Sequence, residues 1–340
     1  MQALVVPDPS AQTMEQLQWQ ERPMPNLGPT EVLIKTQAVG LNPVDFKLVA
    51  AGNAAWQYPH TLGLDTAGIV EAVGAEVTNF RPGERVCGHA NLANNGTFAE
   101  YVSLPAAVLA KIPTTVSFEA AAASLCAGLT AYQALLRKAN LNAAQTVLIH
   151  AGAGGVGSMA IQLAKAAGKT VFTTVSKAKQ AFVAPLHPDA QIDYHHEDVT
   201  TRIQDLTQQH GVDLIINTIG HADADLPRLA YNGQLVCVLA TPDHFPSNQV
   251  VTISKLDLGG AHRSGNPAQV ADLGKMTAAL LALVQAGKVD PLITQVLHRD
   301  QLVTGLQQLQ AGQVVGKLVV TFDACLSKNE DTKNAAQGRP

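Results

Sequence analysis

Residues Thr146–Gly168 read TVLIHAGAGGVGSMAIQLAKAAG. Val147, Leu148 and Ile149 form a short apolar run that predicts a buried strand. The next residues, Gly152, Ala153, Gly154, Gly155, Val156 and Gly157, satisfy G-x-G-x-x-G in full. An alanine-rich helical pattern follows and stops at Gly168, a natural C-cap. In this context the glycines serve a tight turn, a close approach of backbone to a pyrophosphate, and close packing of helix on strand. The helix start offers free N–H groups and a positive dipole end to phosphates. The stretch therefore predicts the first strand, turn and helix of a dinucleotide-binding domain.

The residues after the turn bear on which dinucleotide. An NAD site places an Asp or Glu about 20 residues after the first glycine, on the ribose 2′-OH. No acidic residue occurs between Glu119 and Asp189. The second strand, expected over Thr170–Val175, runs into Ser176, Lys177, Ala178 and Lys179. Hydroxyl and ammonium groups attract a 2′-phosphate that a carboxylate would repel. The expected cofactor is NADPH, with Ser176 and Lys177 at its phosphate.

Outward from this stretch, strands and helices alternate. Further strands are expected at Gln191–Tyr194, Val212–Asn217, Gln234–Leu239 and near Val250–Ile253. Six strands with crossovers make a doubly wound α/β sheet. Thr218 and Gly220 follow the fourth strand and Leu239 ends the fifth, so both loops should face the cofactor. A helical pattern capped by Ser117 runs ahead of the domain to about Asn140. Residues 1–115 are instead β-rich, with short apolar runs such as Val32–Ala38, Ala67–Val73 and Arg85–Gly88 between Gly and Pro turns. Beyond Gly259 come helices over Gln269–Ala286 and Gln301–Gln310 and a last strand, Lys317–Phe322. The expected division is a catalytic domain of residues 1–119 and 261–323 around a cofactor domain of 120–260. A polar tail at 324–340 is expected to be mobile.

The 340 residues are enough for two cores. A net charge of −4 with scattered Lys and Arg leaves no nucleic-acid footprint. Neither a membrane span nor a signal peptide is legible, and Cys87, Cys126, Cys237 and Cys325 form no C-x-x-C, which predicts free thiols in a cytoplasmic protein.

Several further motifs, in order, carry a family resemblance: Gly40-Leu41-Asn42-Pro43-Val44-Asp45-Phe46-Lys47, Gly63-Leu64-Asp65-Thr66-Ala67-Gly68, Arg81-Pro82-Gly83-Glu84-Arg85-Val86, Gly96-Thr97-Phe98-Ala99-Glu100-Tyr101, Ala127-Gly128-Leu129-Thr130-Ala131-Tyr132 and Gly316-Lys317. With the glycine turn, they resemble the zinc-independent quinone oxidoreductase and enone reductase group of the medium-chain dehydrogenases/reductases. The resemblance runs to about residue 322. It implies a GroES-like catalytic domain, a Rossmann domain, a homodimer, and hydride transfer from NADPH to a quinone or an α,β-unsaturated carbonyl. Where the zinc-dependent branch has a Cys, this chain has Asn42; where that branch has Gly-His-Glu, it has Gly63-Leu64-Asp65. A catalytic zinc needs three N, O or S ligands, so no metal is expected. His60 is read as a strand-end or surface histidine.

The resemblance places the Asn42–Lys47 loop beside the nicotinamide. Asn42 would offer an amide donor and Lys47 a cation if it points inward; a surface lysine is the alternative. Asp45 is read as a helix cap. Thr130 would pack near the nicotinamide and Tyr194 along the adenosine phosphate. Lys317 either reaches a phosphate or finishes a strand. His262 and Arg263 either line the substrate mouth or belong to a solvated loop. Two other readings compete: a zinc-type alcohol dehydrogenase, and a low-turnover NADPH-binding sensor or structural protein.

Overall fold

The computed structural model describes residues 1–245 and 250–322. The expected tail, with Cys325, lies outside them.

The strand Thr146–Ile149 sits at the centre of a six-stranded sheet. Outward on one side lie Thr170–Thr174 and Ala190–Ile192; on the other lie Val212–Asn217, Leu229–Cys237 and Thr252–Lys255. All five pairings are parallel. This is the doubly wound order with its switch point at the glycine turn. The helix Gly155–Ala166 follows that turn. It ends in a Schellman motif: the Gly168 N–H donates to Lys165 O, the Lys169 N–H to Ala164 O, and Gly168 has φ +72°.

The β-rich part forms a second, mostly antiparallel sheet. Its longest strand, Glu31–Gly40, pairs with Asp65–Val73 and Tyr101–Pro105, and Asp65–Val73 pairs with Arg85–His89. The last strand, Lys317–Thr321, returns to this sheet against residues 38–40. It brings with it a parallel partner, Ile293–His298, which the sequence pattern did not reveal.

Between the sheets, the helical pattern from Ser117 to about Asn140 is not one helix. Ser117 caps Phe118–Ala123 as expected, its Oγ accepting from the Ala120 N–H. The chain then breaks at Leu125 and restarts as Cys126–Gln133. Leu125 leaves helical dihedrals (ψ −95°), and Ser124 turns its hydroxyl back to Ala120 O at 2.7 Å. That back-bond competes with helix continuation. One apolar core runs across the junction, from Val32 and Val86 through Leu129 to Val147 and Met159. Burying one such side chain stabilises the fold by about 1.5–3 kcal/mol. Among the described residues, no helix is long and apolar enough to cross a membrane.

Candidate active site

The glycine turn opens onto two adjoining cavities at the carboxyl ends of the parallel strands. One, of about 450 Å³, lies over His150, Thr174, Ser176 and Tyr194. The other, of about 310 Å³, lies between Gly154–Gly157 and Leu41–Pro43. Ala151, Gly154, Lys179 and Val314 border both. The glycines differ in what a side chain would meet. A Cβ at Gly157 would lie 2.2 Å from Ala151 O, and one at Gly152 2.3 Å from Thr173 Oγ1. A Cβ at Gly154 would meet only Ala151 O, at 3.3 Å, so this backbone is the one left open to a ligand. Val156 is half-buried and borders the second cavity.

Facing the turn is a buried polar cluster. Lys317 Nζ donates to Asn42 Oδ1 at 2.7 Å and to Leu41 O at 2.8 Å. Asn42 Nδ2 donates to Asp65 Oδ2 at 2.8 Å and to Gly40 O at 3.3 Å. Asp65 Oδ1 accepts the Cys126 N–H at 3.0 Å. Burial raises the Asp65 pKa to about 6, while Lys317, Asn42 and the Cys126 amide pull it down. Asp45 is the expected cap: its Oδ2 accepts the Asn42 N–H at 2.8 Å at the start of the helix Pro43–Ala51. Burial first, then the Asp65 charge, pushes the Asp45 carboxyl up to about 8.

This geometry assigns the loop residues. Asn42 is 2 % exposed, and both ends of its amide are already engaged by protein partners. Lys47 is exposed on the helix and does not border the cavity; the buried ammonium beside Asn42 belongs to Lys317. Lys317 starts the last strand instead of finishing one, and its ammonium reaches Asn42 and Leu41. Thr130 is buried in the helix Cys126–Gln133 and borders neither cavity. Leu239 is exposed, also away from both. Thr218 borders the second cavity, its hydroxyl donating to His150 O at 2.9 Å. Gly220 has φ +77° and donates its N–H to Asn217 Oδ1.

At the other end, Ser176, Lys179 and Tyr194 border the larger cavity, whereas Lys177 is exposed beside it. Lys179 Nζ donates to Gly312 O at 2.9 Å and to Val314 O at 3.4 Å, tying the sheet's edge to the returning segment. The floor holds a hub that the sequence reading missed. Asp225 Oδ1 lies 2.8 Å from His150 Nε2 and accepts from Arg228 Nη1 at 2.7 Å, while Asp225 Oδ2 accepts from Asn217 Nδ2 at 2.7 Å. Burial would raise this carboxyl; its bonds to His150 and Asn217 and the Arg228 charge outweigh that and hold it below the usual range. The hub ties the ends of the strands Thr146–Ile149 and Val212–Asn217 together.

His60 is buried, stacked on Trp56 with centroids 4.2 Å apart, and burial lowers its pKa to about 4. Among the described residues, no three His, Cys, Asp or Glu side chains are grouped as a metal site.

The fold defines a two-domain dehydrogenase/reductase with a cleft between its sheets. Residues 28–114 match the family described as alcohol dehydrogenase GroES-like domain, and residues 186–320 match the one described as zinc-binding dehydrogenase. A quinone oxidoreductase of Pseudomonas aeruginosa is 38 % identical over 194 residues, which are 57 % of this chain and 59 % of that protein. The trans-enoyl reductase pgmF of Aspergillus terreus is 31 % identical over 317 residues, 88 % of each chain. The mycobacterial protein Rv1454c, solved with NADPH, superposes with a TM-score of 0.82 at 29 % identity, covering 95 % of this chain and 100 % of that one. The chain belongs to the medium-chain dehydrogenase/reductase superfamily, in its zinc-independent quinone oxidoreductase group, and is an oxidoreductase of that family.

Proposed function

We propose that the protein reduces a quinone or an α,β-unsaturated carbonyl with NADPH, without zinc. One observation carries the reading: the open backbone at Gly154 joins an adenosine-sized cavity to a smaller one that ends at Asn42 and Lys317. The turn and helix start would hold the pyrophosphate. Ser176, Lys179 and Tyr194, with Lys177 beside them, would hold the phosphorylated adenosine. Among the described residues the one carboxylate lining that cavity, Asp225, is 1 % exposed and occupied by His150, Asn217 and Arg228, so it leaves the ribose rim free of competing charge. Reduced nicotinamide, when bound, supplies the hydride.

Asn42 and Lys317 shape the reactive end. With its amide engaged, Asn42 positions the loop and transmits the Lys317 charge; Lys317 places positive potential where an acceptor oxygen becomes negative. The places a zinc would need hold Asn42, Leu64 and Asp65, and of these Asn42 and Asp65 bond each other. Names of relatives support the acceptor class: a quinone oxidoreductase and a trans-enoyl reductase. A homodimer in the cytoplasm completes the proposal, from the family resemblance.

The test is NADPH and NADH oxidation against a panel of quinones and enones, with elemental analysis of the active protein. Turnover with NADPH and no stoichiometric zinc is expected. No turnover with any acceptor, or activity lost to a chelator and restored by zinc, would overturn the reading.

A further inference from the structure

The first bend of the glycine turn is strained. Ala151 has φ +53°, in the left-handed region that a Cβ disfavours, and it borders both cavities. A conformation of this kind persists only where its surroundings over-determine it. Two bonds hold Ala151 directly. Its carbonyl accepts the Gly154 N–H at 2.9 Å, and its N–H donates to Thr174 Oγ1 at 3.1 Å. The Thr174 carbonyl adds a third hold on the turn, accepting the Gly152 N–H at 3.0 Å.

The Thr174 hydroxyl is fixed in turn by His150. Thr174 Oγ1 stands 3.0 Å from His150 Nδ1, and His150 Nε2 stands 2.8 Å from Asp225 Oδ1. The proton positions follow from what each group can do. Asp225 stays a carboxylate, its pKa held below the usual range, so it accepts and Nε2 carries the proton. Thr174 Oγ1 already accepts the Ala151 N–H, which leaves its own O–H for His150 Nδ1. One chain of donors thus runs from the Ala151 N–H through the Thr174 O–H and the His150 N–H to the Asp225 carboxylate, where Arg228 pairs with it. Such a chain polarises each of its bonds in the same sense. His150 and Thr174 are both buried, and both border the larger cavity from below.

We propose that His150 is a positioning residue for the cofactor: through Thr174 it fixes the Ala151 N–H, and so presets the open backbone at Gly154 before a pyrophosphate arrives. This rests on the functional reading above. Without the imidazole, the threonine hydroxyl is free to turn away and Ala151 relaxes toward negative φ. A ligand must then rebuild the turn as it binds, and affinity falls by that cost.

The experiment compares His150→Leu and His150→Asn in the wild type and in Ala151→Gly protein. In the wild type, His150→Leu should weaken NADPH binding about 3- to 10-fold, the worth of one hydrogen bond, with kcat at saturating NADPH within about twofold. His150→Asn, whose Oδ1 stands where Nδ1 stood and accepts the Thr174 hydroxyl, should recover part of that loss. In Ala151→Gly protein, where glycine holds φ +53° unaided, His150→Leu should cost less than about twofold. A loss that reflects only a loosened core would be the same in both backgrounds. Amide exchange of the unliganded protein gives a readout that needs no nucleotide. Residues 151–154 should exchange about 3- to 10-fold faster in His150→Leu than in wild type. Should His150→Leu not fold, Thr174→Val, which keeps the shape and removes the acceptor for the Ala151 N–H, takes its place in all three measurements. Equal losses in the two backgrounds, wild-type affinity in the folded variants, or unchanged exchange over 151–154 would overturn the inference. Wild type that binds neither NADPH nor NADH would overturn the functional reading instead, and the exchange rates would still decide whether His150 holds the turn.

Discussion

The ammonium of Lys317 and the amide oxygen of Asn42 lie 2.7 Å apart, although 275 positions separate them in the chain. Next to Lys317, Gly316 donates its N–H to Ala153 O inside the glycine turn, at 2.9 Å. Two adjacent residues thus fasten the turn to the Asn42 loop. Gly316 has φ +60°, and a Cβ there would lie 2.3 Å from Leu292 O, so the fastening requires glycine. This clasp fixes the distance between the glycine turn and the Asn42 loop.

Replacing Lys317 by Met should therefore be costly. The stem is conserved in length, but Asp65 loses its buried cation, and Asn42 Oδ1 and Leu41 O lose a donor. Removing one member of a buried charge pair costs about 3–5 kcal/mol. Urea unfolding at pH 7 measures it. The loss should shrink at pH 5, where Asp65, with its pKa raised to about 6, is protonated in the fold. A variant as stable as wild type at pH 7 would mean that the clasp carries no net charge interaction.

Gly157→Ala and Gly154→Ala should separate folding from binding. At Gly157 the new Cβ would meet backbone, Ala151 O at 2.2 Å, so helix and strand must part. Overpacking of that kind typically costs about 1–3 kcal/mol. At Gly154 the nearest atom is 3.3 Å away and the methyl enters the cavity. That variant should keep its melting temperature within a few degrees and lose dinucleotide affinity. Equal affinity in Gly154→Ala and wild type, by fluorescence titration, would place the pyrophosphate elsewhere.

Lys179→Ala and Lys177→Ala test the choice of cofactor. Lys179 borders both cavities, whereas Lys177 is exposed beside them. A hydrogen bond to a charged group contributes about 1.5–3 kcal/mol. Losing Lys179 should weaken NADPH by about 10- to 100-fold and NADH far less; losing Lys177, a solvated cation, should weaken NADPH only a few-fold. Titration of both cofactors against both variants checks this. The same fractional loss for NADH as for NADPH would rule out contact with the 2′-phosphate.

Much of the cofactor sheet was legible because its signals are local: an apolar run, a glycine turn, an amphipathic helix and a helix-ending Gly168. Boundaries moved where tertiary pairing decides, as in the strand Leu229–Cys237, which starts five residues before the expected Gln234. The strand Ile293–His298 stayed hidden because three consecutive central residues are exposed, leaving no alternation. In the site, Asn42 and Lys317 each carry a sequence signal, but nothing marks them as partners. No local pattern links residues so far apart, and Lys47, nearer in sequence to Asn42, is the more obvious cation. The Asp225 hub was missed because His150, 75 positions away, joins it only through strand order, while Arg228 and Asn217, three and eight positions from Asp225, form no distinctive motif.

The pH dependence of stability should carry the mark of Asp45. Its carboxyl is 1 % exposed, and Oδ1 has no partner. Burial, then the Asp65 charge, raises its pKa from 3.8 to about 8, against the pull of the Asn42 amide and Lys317. The folded state thus holds a proton that the unfolded state releases above about pH 4, so stability falls as pH rises through that window. The contribution is fully present below the unfolded pKa and is lost by about pH 8. Asp65, raised to about 6, acts in the same direction over a narrower range. Asp225, held below its usual value, acts oppositely and only in acid. Asp45→Asn keeps the shape, leaves an oxygen for the Asn42 N–H, and has no proton to lose. Its unfolding free energy should match wild type near pH 4 and exceed it at pH 8 by on the order of a few kcal/mol, because a tenfold change in proton affinity is worth about 1.36 kcal/mol. Urea unfolding of both proteins from about pH 4.5 to about pH 8.5 makes the comparison. Parallel curves across that range would show that Asp45 is ionised in the fold at neutral pH, and that Lys317 neutralises two carboxylates rather than one.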